Sequence, residues 1–246
     1  MKNDIFKMYQ TISIGKNEIC NVCNKNKTME KPLSLYFVGN KFAEGNDTIL
    51  FVGKTAVGGE DFEEEYKGDF DNDLFTDSTK FGEKSLDLTE KWATSRPFYL
   101  YTNNIISDYY GSYEIGKEFV ALTNIVKCNN TTTNDTTDYQ IKENCINKLA
   151  VIWKEIEILS PKRVVFYTNV YYDDFIDAYR PNNCTKIEDI SDIRIEIGNK
   201  TTPWWHRRFL DDRGNIITEF LRLGHPQMMN KMDYIKSVVN WLKITK

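Results

Sequence analysis

The stretch Thr48-Ile-Leu-Phe-Val-Gly53 is a short apolar run that ends in glycine, as a buried parallel strand does. Residues 118–124 and 162–168 form two further runs of this kind. Between them, residues 144–159 carry apolar side chains at helical spacing, and Pro161 ends that element. Because strands that alternate with helices build a parallel sheet, the sequence predicts an α/β fold: a three-layer α/β/α sandwich with a central, mostly parallel sheet.

The C-terminal third continues the pattern. Residues 171–179 predict a short helix, and Ile193-Arg-Ile-Glu-Ile197 alternates like an exposed edge strand. A turn at Arg213-Gly-Asn leads into a strand over residues 216–223. The chain closes with an amphipathic helix over residues 228–242.

The N-terminal half contains an arm and an insertion. Residues 1–47 form an arm that precedes the first strand. Residues 71–117 are polar and rich in tyrosine and phenylalanine, and they predict one helix near residues 83–92. No internal repeat or separable second unit is visible, so we expect a single domain over residues 1–246.

Composition narrows the class of protein. The net charge of -4 argues against a protein that coats nucleic acid through bulk charge, although Trp204-Trp-His-Arg-Arg208 is a local basic and aromatic cluster. No apolar run approaches a membrane span, and the N-terminus lacks the apolar stretch of a secretory signal. We therefore expect a cytoplasmic monomer with reduced thiols and no membrane partner.

The cysteines are the most informative side chains. Cys20-Asn-Val-Cys23 is a Cys-x-x-Cys pair, whose two-residue gap lets both thiolates reach one ion or one cluster face. Cys128 and Cys145 supply a second pair in mid-chain. The four predict a metal or cluster site if the fold brings the arm back onto the middle of the chain. The alternative is unrelated thiols, which is how we interpret Cys184 in its polar loop.

Three unusual features follow predicted strands. They are Gly53-Lys-Thr-Ala-Val-Gly58-Gly59, Thr123-Asn124 and Gly224-His225-Pro226. In an open parallel sheet, ligands bind beyond the carboxyl ends of the strands, where these segments would meet. Each also has a structural interpretation, as a turn or as a helix cap. The glycine loop lacks the Lys-Ser/Thr ending of a nucleotide-binding P-loop.

In this order the motifs resemble those of the uracil-DNA glycosylase superfamily, and within it the iron–sulfur-containing family 4 enzymes. The resemblance runs from Cys20 nearly to the C-terminus. Its most specific element is Leu122-Thr-Asn-Ile-Val-Lys-Cys128, followed by a second cysteine at the next helix. The other matching strings are Cys20-x-x-Cys23, Ile49-Leu-Phe-Val-Gly53 with its glycine loop, Leu159-Ser-Pro-Lys-Arg-Val-Val165 and Gly224-His-Pro226.

The resemblance implies a role for each motif. Cys20, Cys23, Cys128 and Cys145 would hold a [4Fe–4S] cluster, with zinc as the alternative occupant. The loop from Gly53 would bring its backbone to the deoxyribose and the hydrolytic water. The resemblance also implies roles for three single side chains. Asn124 would recognise the edge of the flipped base, His225 would stabilise the departing base, and Phe70 would stack on the flipped base.

The sequence departs from the family at two places. The family carries a glutamate directly after the first glycine of the loop, whereas this chain has Lys54, and Glu60 or Asp61 would have to supply the acid. The second departure is the insertion over residues 71–117, which would border the base pocket.

The expected function is a DNA glycosylase that flips a base out of DNA and hydrolyses its N-glycosidic bond. Lys54 and the insertion favour a modified base over plain uracil, in DNA repair or in defence against foreign (phage) DNA. The cluster Trp204-Trp-His-Arg-Arg208 is expected in a connection before the last strand. There Trp205, Arg207 and Arg208 would contact the DNA backbone, or else the cluster is a partly buried tryptophan pair with solvated arginines. Two alternatives remain open: a catalytically inert DNA-binding protein with the same fold and cluster, and a zinc-containing α/β protein unrelated to DNA.

Overall fold

The structure is a computed structural model that describes residues 1–26, 29–32, 37–57, 96–130, 137–227 and 229–245. Its α-helices in these ranges are α1 (Lys2–Thr11), α2 (Glu18–Cys23), α3 (Pro97–Tyr110), α4 (Tyr113–Gly116), α5 (Tyr139–Lys142), α6 (Val151–Leu159), α7 (Asp173–Ala178) and α8 (Lys231–Ile244). Its strands there are β1 (Met29–Pro32), β2 (Phe37–Val38), β3 (Ile49–Gly53), β4 (Ala56–Val57), β5 (Val120–Asn124), β6 (Cys128–Asn130), β7 (Arg163–Phe166), β8 (Lys186–Ile197), β9 (Lys200–Leu210) and β10 (Ile216–Leu223).

A seven-stranded sheet forms the centre of the molecule, in the order β2-β5-β3-β7-β10-β9-β8. The adjacent strands β5, β3, β7 and β10 are parallel, as the apolar runs predict. The remaining pairings of this sheet, β2 with β5, β10 with β9 and β9 with β8, are antiparallel. The fold is therefore α/β with a mixed sheet. The prediction of a mostly parallel sheet is wrong for the sheet as a whole, because the longest pairings are those of the antiparallel strands β8, β9 and β10.

Helices cover both faces of this sheet because the parallel strands are apolar on both sides. Leu50 and Val52 of β3 pack on one face with α1, α6 and α7. Ile49 and Phe51 of the same strand pack on the other face with α3 and α8. The alternation of neighbouring residues between two cores follows from the two-residue period of a strand.

The direction in which parallel strands are added to the sheet changes at β3. The chain first passes from β3 to β5 on one side of β3, and it then crosses to β7 on the other side. A reversal of this kind opens a crevice beyond the carboxyl ends of the strands that flank it. In this sheet the crevice is expected between the carboxyl ends of β3 and β7, with the ends of β5 and β10 next to it.

A small second sheet joins the N-terminal arm to this edge, with strands in the order β1-β6-β4. Strand β1 follows the Cys-x-x-Cys pair, β6 begins at Cys128, and β4 lies within the predicted glycine loop. Pairing between β4 and β6 therefore connects the loop after Gly53 to the segment that carries Cys128.

Two predictions about secondary structure are wrong, and a third is not tested. The helix expected near residues 83–92 falls outside the described residues, and helix α3 (Pro97–Tyr110) lies further along the predicted insertion. The cluster Trp204-Trp-His-Arg-Arg208 lies in strand β9 and not in a connection. The helix expected over residues 144–159 is a π-helical turn (Glu143–Lys148) followed by α6, with a break at Ala150, whose φ is 54°.

Candidate functional site

Four buried cysteines meet at one cavity. Cys20 and Cys23 lie on one face of α2, whose first turn is capped by Asn17 through a 2.8 Å bond from the Cys20 N–H. Cys128 begins β6, and Cys145 lies in the π-helical turn. The lining of the cavity comprises Ile14, Cys20, Cys23, Lys127, Cys128, Ile141, Asn144, Cys145 and Leu149.

Polar groups of the chain donate hydrogen bonds to these sulfurs. The Gly15 N–H donates to Cys20 Sγ at 3.1 Å, and Asn144 Nδ2 donates to Cys23 Sγ at 3.3 Å. The backbone N–H of Lys127 donates to Cys145. Donors of this kind stabilise a thiolate that is bound to a metal or a cluster.

Burial makes the protonated thiols the favoured form when no cation compensates a thiolate. It raises the pKa of Cys20, and it raises the pKa of Cys145 to about 12. The pKa of Cys128 lies well above its ordinary value because of burial and because the other three thiols are close by. A metal ion or a cationic iron–sulfur core supplies the charge that such ligands need.

The chemistry of the donors suits a metal or a cluster. Four buried thiols line one cavity with N–H donors behind them, and thiolate sulfur is the donor that both [4Fe–4S] clusters and zinc accept. Within the described ranges, no three His, Cys, Asp or Glu side chains are grouped as ligands around one ion. Cys184 lies away from this cavity and directs its thiol to the Lys186 carbonyl.

A buried ion pair connects the cysteine cavity to the end of β5. Lys127 Nζ lies 2.6 Å from Glu155 Oε2, 2.6 Å from Thr123 Oγ1 and 2.5 Å from the Asn124 carbonyl. The Tyr9 hydroxyl donates to the other oxygen of Glu155. Both charged side chains are almost completely buried, and burial lowers the pKa of Lys127 while Glu155 opposes that shift. The network thus ties the N-terminal arm, α6 and the Asn124 backbone together.

Gly53 and Asn124 lie side by side at the carboxyl edge. They are register partners on β3 and β5, and the Ile125 N–H donates to the Gly53 carbonyl at 2.9 Å. A Cβ at position 53 would stand 2.4 Å from Asn124 Oδ1 and 3.3 Å from the Phe98 ring. Glycine at this position therefore leaves the space that the Asn124 amide occupies.

His225 follows β10 on the same edge, and Gly224 fixes its backbone. The Gly224 N–H donates to Thr202 Oγ1 at 2.9 Å, and the Tyr234 hydroxyl donates to the Gly224 carbonyl at 2.8 Å. The Gln227 N–H donates to Nδ1 of His225 at 3.2 Å. Because Nδ1 accepts a bond, the neutral imidazole carries its proton on Nε2 and can donate from there.

Lys54 and Tyr171 meet across the mouth of the crevice. The Lys54 ammonium lies 5.3 Å from the centre of the Tyr171 ring, which is a cation–π contact. Next to it, the Thr55 and Tyr172 hydroxyls are 3.3 Å apart, and Thr137 donates to Thr55 at 2.8 Å. The loop after β3 is thus bound to the segment after β7.

Several predicted site residues fall outside the described residues. Glu60, Asp61, Phe70, Gly58 and Gly59 belong to this group. Their expected roles as acid, stacking ring and backbone loop stay predictions.

The basic cluster of β9 is bound within the chain. Trp205 is buried, and the Arg207 guanidinium lies over its ring at 4.6 Å. Arg207 forms ion pairs with Asp177 and Asp189, and Arg208 pairs with Glu219. These contacts favour the structural interpretation of the cluster, and its role in contacting DNA stays a prediction.

The sequence alone does not identify Lys127, Glu155 and Tyr9 as partners. In the amino-acid sequence, Lys127 is noticeable only as part of the string that ends in Cys128. A signal exists for Glu155, since it stands among the apolar positions of the amphipathic helix α6 and is completely buried. A carboxylate so placed requires a buried cation or several donors.

No known family model matches the chain, and no curated protein matches it either. Across the described residues, no helix combines the length and the apolar character needed to cross a membrane.

Proposed function

We propose that the protein is a DNA glycosylase with a three-layer α/β/α architecture like that of the uracil-DNA glycosylase superfamily, nearest to its iron–sulfur-containing family 4. It would flip a base out of DNA and hydrolyse the N-glycosidic bond. The observation that carries the proposal is that Gly53, Asn124 and His225 lie at the carboxyl edge of four adjacent parallel strands, where the strand order reverses.

The roles follow from the hydrogen-bonding groups at that edge. The Asn124 amide, seated over Gly53, can donate to and accept from the edge of an extrahelical base. His225 can donate from Nε2 to the oxygen on which negative charge develops as the base departs. The glycosidic bond breaks with its electron pair on the base, a water oxygen bonds to C1′, and a water proton balances the departing anion.

A cluster, when bound, would act as a structural element that neutralises four thiolates and closes the arm onto the sheet. Cys20, Cys23, Cys128 and Cys145 would hold it, with the donors from Gly15 and Asn144 behind the sulfurs. The binding energy of such a group contributes to folding, because the unfolded chain has no preformed site. Through Lys127, the same region bears on the Asn124 backbone.

The substrate we propose is a modified base, not plain uracil. Lys54 stands where the family has a glutamate, so this position of the loop carries a cation instead of an anion. A lysine there opposes the positive charge that develops on the sugar, unless it binds a phosphate or a polar substituent of the base. Its contact with Tyr171 holds it at the mouth, where such a group would pass.

The test is incubation of the purified protein with oligonucleotides that contain uracil or one of a panel of modified bases, followed by alkaline cleavage at abasic sites. We expect cleavage at one or more modified bases and weak or no cleavage at uracil. Efficient turnover of uracil would contradict the proposed substrate. DNA binding without cleavage at any base of the panel would instead favour the inert DNA-binding protein. The replacement of the glutamate by Lys54 also favours that alternative.

A further inference from the structure

Three exposed apolar side chains lie together beside the crevice. Among the described residues, Tyr139, Val170 and Tyr171 are 66%, 46% and 63% exposed. Single exposed apolar residues are normal on a protein surface, whereas a contiguous group indicates an interaction site. We call Tyr139, Val170 and Tyr171, together with Lys54 and Lys142, the aromatic rim.

Contacts within the chain make the rim continuous. Lys142 lies one helical turn after Tyr139, and its ammonium is 3.3 Å from the Tyr171 carbonyl and 4.4 Å from the centre of the Tyr172 ring. Tyr139 packs on Phe175 with ring centres 5.5 Å apart, at the start of α7. Lys54 closes the other end by its contact with Tyr171.

The backbone after β7 presents the tip of the rim. Asn169 has a φ of 57°, in the left-handed region, and its side chain accepts the Val170 N–H at 2.8 Å. This turn exposes Val170 and Tyr171, while Tyr172 points inward and is completely buried. The protruding pair therefore depends on a locally defined conformation.

Two lysines, Lys54 and Lys142, are the cations of the rim. Of the nearby carboxylates, Asp138 caps α5, Asp173 pairs with Arg222 at 2.7 Å and Asp177 pairs with Arg207 at 3.0 Å, whereas Asp174 is exposed. The two lysines of the rim lie on aromatic rings. A cation resting on an aromatic ring can still bind a phosphate oxygen.

We propose that the aromatic rim binds a single strand of DNA, with bases stacked on Tyr171 and Tyr139 and phosphates beside Lys54 and Lys142. Exposed aromatic rings interleaved with cations are the combination that holds single-stranded nucleic acid, because every base has a stacking face. The inference rests on the proposed function and deepens it, since the strand would be the one from which the base enters the crevice.

The test is fluorescence anisotropy with a labelled single-stranded oligonucleotide, over a range of salt concentrations. Tyr171→Ala and Tyr139→Ala should each weaken binding about tenfold, while Tyr171→Phe should keep near wild-type affinity because it keeps the stacking face. Lys142→Ala should lower the slope of log Kd against log salt by about 0.7, the value for one phosphate contact on a single strand. Ile115→Ala, at another exposed apolar position, is the matched control and should bind as wild type.

Wild-type affinity in both tyrosine-to-alanine variants would overturn the inference, as would the absence of binding by the wild type at low salt. A loss of binding that Ile115→Ala shares would also overturn it. A different result would contradict the proposed function. Binding that depends on Tyr171 without release of any base would contradict the glycosylase alone, whereas base release with unchanged binding in Tyr171→Ala would contradict the rim alone.

Discussion

Two buried ionic networks lie at opposite edges of the central sheet, and they differ in what they touch. At the carboxyl edge, Lys127 and Glu155 lie between the cysteine cavity and Asn124. At the amino edge, Glu219 accepts from His206 and Arg208, with its other oxygen 4.0 Å from Arg163 Nε. Both networks satisfy charges that burial would otherwise make costly.

The two networks differ in the chain segments that they connect. Arg163 pairs with Asp47 before β3 and donates to the Thr245 carbonyl at 2.7 Å, so the amino-edge network lies at the other ends of the strands from Gly53, Asn124 and His225. Lys127 bonds directly to the Asn124 backbone and lines the cysteine cavity. Under the proposed function, the position of a buried charge relative to the strand ends, and not its burial alone, distinguishes the network beside the site from the other network.

The largest effect should come from the cysteines. Cys128→Ser removes one of the four proposed cluster ligands. Because binding of a cluster contributes to folding, the variant should lose colour, iron and sulfide and should accumulate as insoluble protein. Cys184→Ser is the matched control and should retain all three. Iron, zinc and acid-labile sulfide per chain, measured on protein prepared without oxygen, check the prediction. Stoichiometric zinc without iron or sulfide would contradict the cluster.

The two networks can be compared directly by removing one cation from each. Lys127→Met leaves the buried Glu155 without its cation and should lower the free energy of unfolding by about 3–5 kcal/mol. Arg163→Met should lower it less, because Glu219 keeps His206 and Arg208 and because Asp47 is partly exposed. Urea denaturation measures this loss. Only Lys127→Met should also slow base excision when the two variants are assayed well below their unfolding midpoints. Equal slowing of base excision in both variants would contradict the claim that only the Lys127 network supports the site.

A smaller effect is expected at Gly53. In Gly53→Ala the added methyl group must displace the Asn124 amide, and a misplacement of about 1 Å in a catalytic site can cost about 100-fold in rate. Excision rates of Gly53→Ala, Asn124→Ala and the double variant form a cycle. The double variant should be no slower than Asn124→Ala, because the methyl group then has no amide to displace. Additive losses would show that Gly53 acts independently of Asn124.

The smallest effect concerns pH. Burial raises the pKa of Asp173 to about 6, although Arg222 opposes the shift and Asp177 adds to it. The folded state thus binds a proton that the unfolded chain has already lost, so this group makes stability fall as the pH rises from about 4 to about 6. The midpoint of urea unfolding, measured as the pH rises over that range, should fall less steeply in Asp173→Asn than in the wild type. Asp174→Asn is the control, and an equal change in its profile would contradict the assignment.

The sequence predicts the four parallel strands because their apolar runs are buried on both faces, as at Ile49–Gly53. It also places Ile193 to Ile197 in an edge strand, which β8 confirms. It fails for the antiparallel strand β9, where tryptophans and arginines suggest a polar connection although the arginines are paired across strands. The sequence does not predict helix α3, because tyrosines such as Tyr99 and Tyr101 look like polar loop residues there, whereas in the fold they are buried.

For the site, spacing predicts that the four cysteines meet, and the shared cavity agrees with it. The ion pair of Lys127 and Glu155 could not be foreseen, because nothing local couples residues 28 positions apart. Tertiary packing alone brings Tyr9 to the same carboxylate.

The most direct test of the central claim is detection of the released base. The wild type, His225→Ala and Asn124→Ala would each be incubated with duplexes that carry the modified bases, and the free base and the abasic strand would be quantified by mass spectrometry. We expect equal amounts of free base and abasic strand from the wild type. Each variant should retain its fold and DNA binding and be slower by about 100- to 1000-fold, the typical loss for one electrostatic stabiliser. No free base from any duplex, or unchanged release by both variants, would contradict the account.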